Sequence, residues 1–421
     1  MPPRLLKGPY LVPGDTRMDV RFELDSAAPA TVELARAGEP RAPLVVEDRA
    51  ATAMHVVRVG GLEAAASYTY GVRVAGAIVG RGRFTTPPAP DSSAPLTFLV
   101  YGDDRSDQTT HAAVVRSLAL TPSDVLINTG DVVADGGNAG DWQSFFEVEA
   151  PLLRERPLLL AIGNHELYDD SAGANFARYF GFDDASGTLQ PYGTVRLGNV
   201  RFFFLNGMHD WDSGPERSWL TAELTHADTE PGLVWRVAVV HHGPWSSGPH
   251  GANAKLVDAH VPELLVAHKV DLLLSGHDHI YERGDGGPLK YIISGGGGAP
   301  LYRISPPMLA TRKAESTYHF VEVTTGPAGI KTVAHRLDGT ILERCGFAKG
   351  TAWDCDALPG TSPPAAGAPS STAPSDGPPS APRCGCEVPG ARAASALVPV
   401  ALLALGALAA LALARRRSRR G

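Results

Sequence analysis

The chain has 421 residues, enough for two or three domains with a sizeable core. Its formal net charge of -7 gives no support to a nucleic-acid-binding surface, so no nucleic-acid partner is expected. Four cysteines, all outside the polar clusters described below, argue against a zinc–thiolate site; Cys345 and Cys355 flank a short loop and could pair in an exported protein.

Residues 1–90 consist of short alternating runs such as MDVRFEL, ATVELARAG, HVVRVGGL, SYTYGVRVAG and GRGRFTT, punctuated by Gly, Pro and Asp. That pattern predicts a small all-β domain. Within it, GLEAAASYTYGVRVAG followed by FTTPP resembles the closing strands of fibronectin type III-like modules. Such a module serves as a packing scaffold or as a carbohydrate- or partner-binding unit; with no aromatic cluster beyond Tyr68 and Tyr70, the scaffold is favoured. PPAPDSSAP, Pro87 to Pro95, is a linker by composition.

From residue 96 to 345 apolar strands alternate with the helical stretches HAAVVRSLAL, DWQSFFEVEAPLL, ERSWLTAELTHA and AKLVDAHVPELLVAHK. VRLGNVRFFFLN, LKYIISGGG, YHFVEVTT and IKTVAHRLDGTILER add strand pairs. The expectation is an α/β domain built as a two-sheet sandwich flanked by helices.

Residues 357–382, almost entirely Pro, Ala, Ser, Gly and Thr, read as a linker. Residues 395–414 form an uncharged apolar run long enough to span a bilayer, and an arginine cluster follows at once. The arginines would stay cytoplasmic, so the expectation is an exported protein at the cell envelope or surface, anchored to a membrane through this helix. MPPRLLKGPYLVPG is no secretory leader, and the true start of an exported protein is expected upstream. The segment 384–421, with Cys384-Gly-Cys386 before the apolar run, is similar to the C-terminal sorting signals of myxobacterial surface proteins.

Five apolar runs end in polar clusters: LTFLVYGDDR, DVLINTGD, LLLAIGNHE, VWRVAVVHHGP and DLLLSGHDH. Open α/β sheets place their sites at such strand ends. In extended backbone, side chains two apart leave the same face, so His277 and His279 are expected to point together. Of His241 and His242 only one can point at the site; the spacing to Pro244 favours His242 and leaves His241 as a packed neighbour. A mixed set of Asp, Asn and His suits two transition-metal ions ~3.5–4 Å apart.

In this order GDDR, GDVVADG, GNHE, VVHHGPWSSGPHG and GHDHIYER resemble the motifs of calcineurin-like metallophosphoesterases, the purple acid phosphatase branch in particular. The resemblance implies a four-layer αββα sandwich and two metal ions, iron, zinc or manganese. It implies Asp103 and His279 on the first metal, Asp131 bridging, and Asn164, His242 and His277 on the second. His165 would sit over the substrate and protonate the leaving oxygen or stabilise the transition state, His250 would lie near the phosphate, and Tyr281, Glu282 and Arg283 would support the ligands. Two such metals polarise phosphoryl oxygens and lower the pKa of a bound water from ~15.7 toward ~7. The implied activity is hydrolysis of a small phosphate ester, most simply a monoester. A phosphodiesterase acting on nucleotide, glycerophosphodiester or phospholipid substrates is the alternative, and a non-catalytic surface-binding protein with a vestigial site is an alternative of another class.

Two positions depart from the family. Ala134 stands where purple phosphatases have a tyrosine, and Arg105 where other members have a histidine. The first metal then has only Asp103, Asp131 and His279 as evident ligands, which implies an exchangeable first metal and no tyrosinate colour. Arg105 is expected to clamp a substrate phosphate with its planar fork, or else to pair with Asp104 or Asp107.

Overall fold

A computed structural model describes residues 3–39, 42–212 and 214–356. The expected linker, sorting tail and apolar run 395–414 lie outside them. Among the described residues no helix is long and apolar enough to cross a membrane.

Two seven-stranded sheets face each other. In the first, Leu96–Tyr101, Val125–Asn128 and Leu158–Leu160 run parallel, and His319–Gly326 extends the sheet antiparallel beside Leu96–Tyr101. In the second, Val200–Leu205, Trp235–Val240, Leu272–Ser275 and Leu289–Ser294 run parallel. These strands are short and almost continuously apolar because they are covered on both faces. Phe98 of one sheet meets Phe202 of the other edge to face, with ring centroids 5.2 Å apart. Helices Gln108–Leu120 and Ala139–Leu153 cover the outer face of the first sheet, burying Val114, Leu118, Phe145 and Leu152. On the second sheet Pro215–Thr229, Ala254–Asp258 and Val261–Ala267 bury Leu220, Leu224, Leu256 and Leu265 against Ala238, Val240 and Leu273. The result is the expected four-layer αββα order.

The N-terminal segment is all-β, a five-stranded sheet whose longest strand, Arg17–Arg36, pairs first with Leu5–Pro13 and then with Ser67–Val74. Pairing shifts between Glu23 and Ala30 mark the bend between these halves, and both halves share one core around Phe22, Val32 and Val72. This sheet packs directly on the sandwich. The Tyr10 hydroxyl donates to Tyr179 O at 2.9 Å, and the buried Arg21 guanidinium donates to the same carbonyl at 3.0 Å. Glu23 pairs with Lys7 and Arg178. At the other end of the described chain, Cys345 and Cys355 are joined by a disulfide.

Candidate metal centre

The parallel strands of both sheets end at one edge, and there the polar clusters converge. Asp103, Asp131 and His277 all have positive φ, at 57°, 60° and 70°. Side chains other than glycine rarely adopt that region, and such strain gathers at functional sites. Here it turns the chain sharply back over the strand end. Glycine makes the crowding possible: a Cβ on Gly163 would lie 2.2 Å from Asp131 Oδ1, and one on Gly276 would lie 2.4 Å from Asp103 Oδ2. The glycine-rich run after Leu289–Ser294 is a close-packed turn in the same place, with Ala299 N donating to Asp103 O at 2.7 Å.

Asp131 Oδ2 is the shared atom. His241 Nε2 lies 3.3 Å from it, Arg105 Nε 3.3 Å and His165 Nε2 3.9 Å. Asp131 Oδ1 accepts from His165 N at 3.0 Å. His277 Nδ1 is 3.2 Å from His241 Nε2, so His277, His241 and Asp131 form a compact group able to hold an ion. The buried Asn164 Oδ1 has no hydrogen-bond partner, and neither does Asp103 Oδ1. His279 donates from Nδ1 to Pro300 O at 2.6 Å, leaving Nε2 3.5 Å from Asp103 Oδ1.

Two expectations are corrected here. His241, not His242, enters the cluster. On strand Trp235–Val240, Val237 and Val239 face the core between the sheets, whereas Ala238 and Val240 face the helices. Alternation carries His241 to the inter-sheet side, where it is fully buried, and turns His242 outward, its Nε2 3.0 Å from Gly251 O. The nearby Pro244 carries no such information. Nor do His277 and His279 converge through an extended strand: Leu272–Ser275 ends before them, and the bend at His277 sends the two rings to different parts of the centre, one beside His241 and one beside Asp103.

The electrostatics are those of a site for positive charge. Burial alone would lower the His241 pKa, yet the charges of Asp131 and Asp103 raise it to about 9. Burial, reinforced by His241, lowers His277 to about 2, and burial lowers His279 to about 4. Burial opposes ionisation of Asp131, but His241 holds its carboxyl below the usual range, whereas burial raises Asp103. The cluster thus favours a cation between two carboxylates while two imidazoles remain neutral, the form in which histidine binds metals.

Around this group, His165 is half-buried and its Nδ1 donates to Ala134 O at 2.7 Å, so Nε2 faces the cluster. His250 stands at the rim, tied through Nδ1 to Asp278 Oδ1 at 2.8 Å, with its ring 4.3 Å from that of His277. Arg105 pairs with Asp131, and with neither Asp104 nor Asp107. Glu282 accepts from Ser247 N at 2.7 Å and so holds the loop that carries His250, while Tyr281 and Arg283 both bond Glu343.

Glu166 is not among the site candidates read from the sequence. In the structure its fully buried carboxylate accepts from the backbone of Asp131, Val132 and Gly163 at 3.0, 2.8 and 2.7 Å, which ties the Asp131 turn to the Asn164 turn. An acidic residue directly after an apolar strand and an Asn-His pair was its only signal.

Beneath the Asp103 turn lies a second buried group. His111 Nε2 is 3.0 Å from Asp104 Oδ2 and 2.9 Å from Glu149 Oε1, and Asn128 Nδ2 donates to Asp104 Oδ1. Burial would lower the His111 pKa, but Asp104 and then Glu149 raise it to about 10. A raised histidine pKa stabilises the fold fully below the unfolded value near 6.5, and this contribution is lost as pH rises through about 10. His111→Ala is therefore expected to cost ~3 kcal/mol in urea unfolding at pH 6. The wild type should lose stability between pH 7 and 10 more steeply than the variant.

Residues 97–281 match the sequence profile of calcineurin-like phosphoesterases. Purple acid phosphatase 22 of Arabidopsis thaliana is 27% identical over 290 residues, an alignment covering 63% of this chain and 64% of that relative. The chain thus spans just under two thirds of that relative's length. Purple acid phosphatase PPD1 from yellow lupin (Lupinus luteus) seeds superposes with a TM-score of 0.67 at 19% identity, over 80% of this chain and 73% of that one. The structure of PhoD superposes with a TM-score of 0.63 at 13% identity, over 83% and 92%. The two superpositions bear on the fold.

Proposed function

We propose that this chain, a calcineurin-like metallophosphoesterase, hydrolyses phosphoric monoesters at a binuclear metal centre, in the manner its purple acid phosphatase relatives are named for. One observation carries the reading: six ligand-type side chains converge at one sheet edge, and two of them, Asp103 and Asn164, present buried oxygens without a hydrogen-bond partner. Buried polar atoms left in this way are costly unless something else satisfies them. Asp131, Asn164, His241 and His277 would hold one ion; Asp103, Asp131 and His279 would hold the other. When bound, such ions supply Lewis acidity toward phosphoryl oxygens and acidify a water.

The chain's own residues do the rest. Glu166 fixes the two turns that present Asp131 and Asn164, so the ligand atoms are set before substrate arrives. His165 is oriented by Ala134 O, with Nε2 on the open side of the centre, where it can hold a proton for the departing alcohol. His250 is placed by Asp278 at the rim, where a phosphate oxygen could meet it. From the sequence alone we further propose a fibronectin type III-like role for the N-terminal β region, and export with membrane tethering through residues 395–414; the uncharged length of that run and the arginines after it support the tether.

The test uses a mono- and a bis-ester of the same nitrophenol. Monoester kcat/KM should exceed that for the diester by at least about tenfold, since each 1.4 kcal/mol of differential transition-state binding is tenfold. A preference for the diester would transfer the reading to a phosphodiesterase. Turnover of neither ester by metal-loaded protein would favour a surface-binding protein with a vestigial site.

A further inference from the structure

The residues fit the two ions unequally. Around His241 and His277 the ligand atoms face one another, and the side chain of His242 is turned out of the way. Around His279 a cationic side chain already stands among the ligands. Arg105 is mostly buried; its Nε points to Asp131 Oδ2 at 3.3 Å and its Nη2 lies 3.5 Å from His279 Nε2. Those two atoms, with Asp103 Oδ1, are the evident ligands of the first ion. Zinc sits ~2.0–2.2 Å from nitrogen and oxygen ligands. An ion bonded to both atoms would therefore share the guanidinium's space.

Resting on the phosphoesterase reading above, we propose that Arg105 is a built-in competitor for the first metal position. In protein with one ion bound, the guanidinium neutralises Asp131 in place of the second cation. A phosphate group at the centre offers the same planar fork a better acceptor, because two oxygens can take two parallel N–H bonds. Substrate or product phosphate then draws Arg105 off Asp131 and lets the first ion enter. Phosphate and the first metal would bind with positive coupling, which is reciprocal by necessity. The backbone keeps Arg105 within reach of both positions: Arg105 N donates to Asp131 O at 3.3 Å, and Asp107 caps the next helix through Thr109 N and Thr110 N.

The experiment is equilibrium titration of metal-free protein with Mn2+, reading free Mn2+ by electron paramagnetic resonance, with and without inorganic phosphate. Wild type, Arg105→Ala and Arg105→Gln are compared. Wild type should show one tight site and one weaker by about 100-fold, as expected where a fixed positive charge opposes binding. Phosphate should tighten the weak site of wild type by about tenfold, within the usual range of coupling between sites. In both variants the weak site should tighten without phosphate, and the phosphate effect should shrink. Two equally tight sites in wild type, or a weak site that ignores both substitutions, would overturn the competition while leaving the phosphoesterase reading intact. Failure to bind any Mn2+ would overturn that reading and this inference together.

Discussion

Asp131→Ala is expected to lower phosphate-monoester turnover by at least about a thousandfold, more than the loss of one oriented charge-stabilising group alone. Asp131 touches several parts of the centre at once: Oδ2 faces His241 and Arg105, Oδ1 holds His165 N, and the main chain is gripped by Glu166. Removing the carboxylate would remove the proposed bridge between the two ion positions and the acceptor that holds His165 N, the residue proposed to meet the leaving group. Asp131→Asn keeps the shape and the His165 contact but gives up the charge. Its turnover should fall nearly as far, which separates loss of charge from loss of packing. Initial rates with nitrophenyl phosphate and a thermal melt of each variant make the check.

The second large effect concerns neighbouring histidines. His241→Ala should cut kcat/KM by about a hundredfold or more and weaken the tighter ion by a similar factor, whereas His242→Ala should stay within about tenfold of wild type, the low end of what losing a group that supports a ligand from outside costs. His241 is fully buried between Asp131 and His277, with its other nitrogen donating to Thr129 O at 2.9 Å. His242 stacks on His277 at 4.1 Å and bonds Gly251 O. Equal losses in both variants, or the reverse ranking, would return the ligand role to His242.

This pair also shows what the sequence could and could not reveal. The alternation of buried strands and amphipathic helices survives translation into a chain of layers, so the two-sheet sandwich and the meeting of five strand ends were legible. The choice between His241 and His242 depends on which face of Trp235–Val240 looks at the opposite sheet; the strand's one charged residue, Arg236, is buried against Ala227 O on the helix side, so in sequence it does not read as an exposed face. Counting back along Val237 and Val239 would have decided it only once the facing sheet was known. His277 and His279 were expected to share a strand face, but the chain has already turned, at a left-handed residue that no local propensity announces. Arg105 reads in sequence as free to reach Asp104 or Asp107; folding brings Asp131 to it instead. Glu166 was invisible as an anchor because two of its partners are backbone amides of a turn more than thirty residues away.

Metal content and turnover, measured on the same preparations of wild type and Asp131→Ala, decide whether this centre hydrolyses phosphate esters through bound metal. At saturating metal, wild type is expected to hold two ions per chain, with monoester turnover that chelation removes and metal restores, and Asp131→Ala to lose both bound metal and turnover. Turnover that survives chelation, or that is indifferent to Asp131, would contradict it.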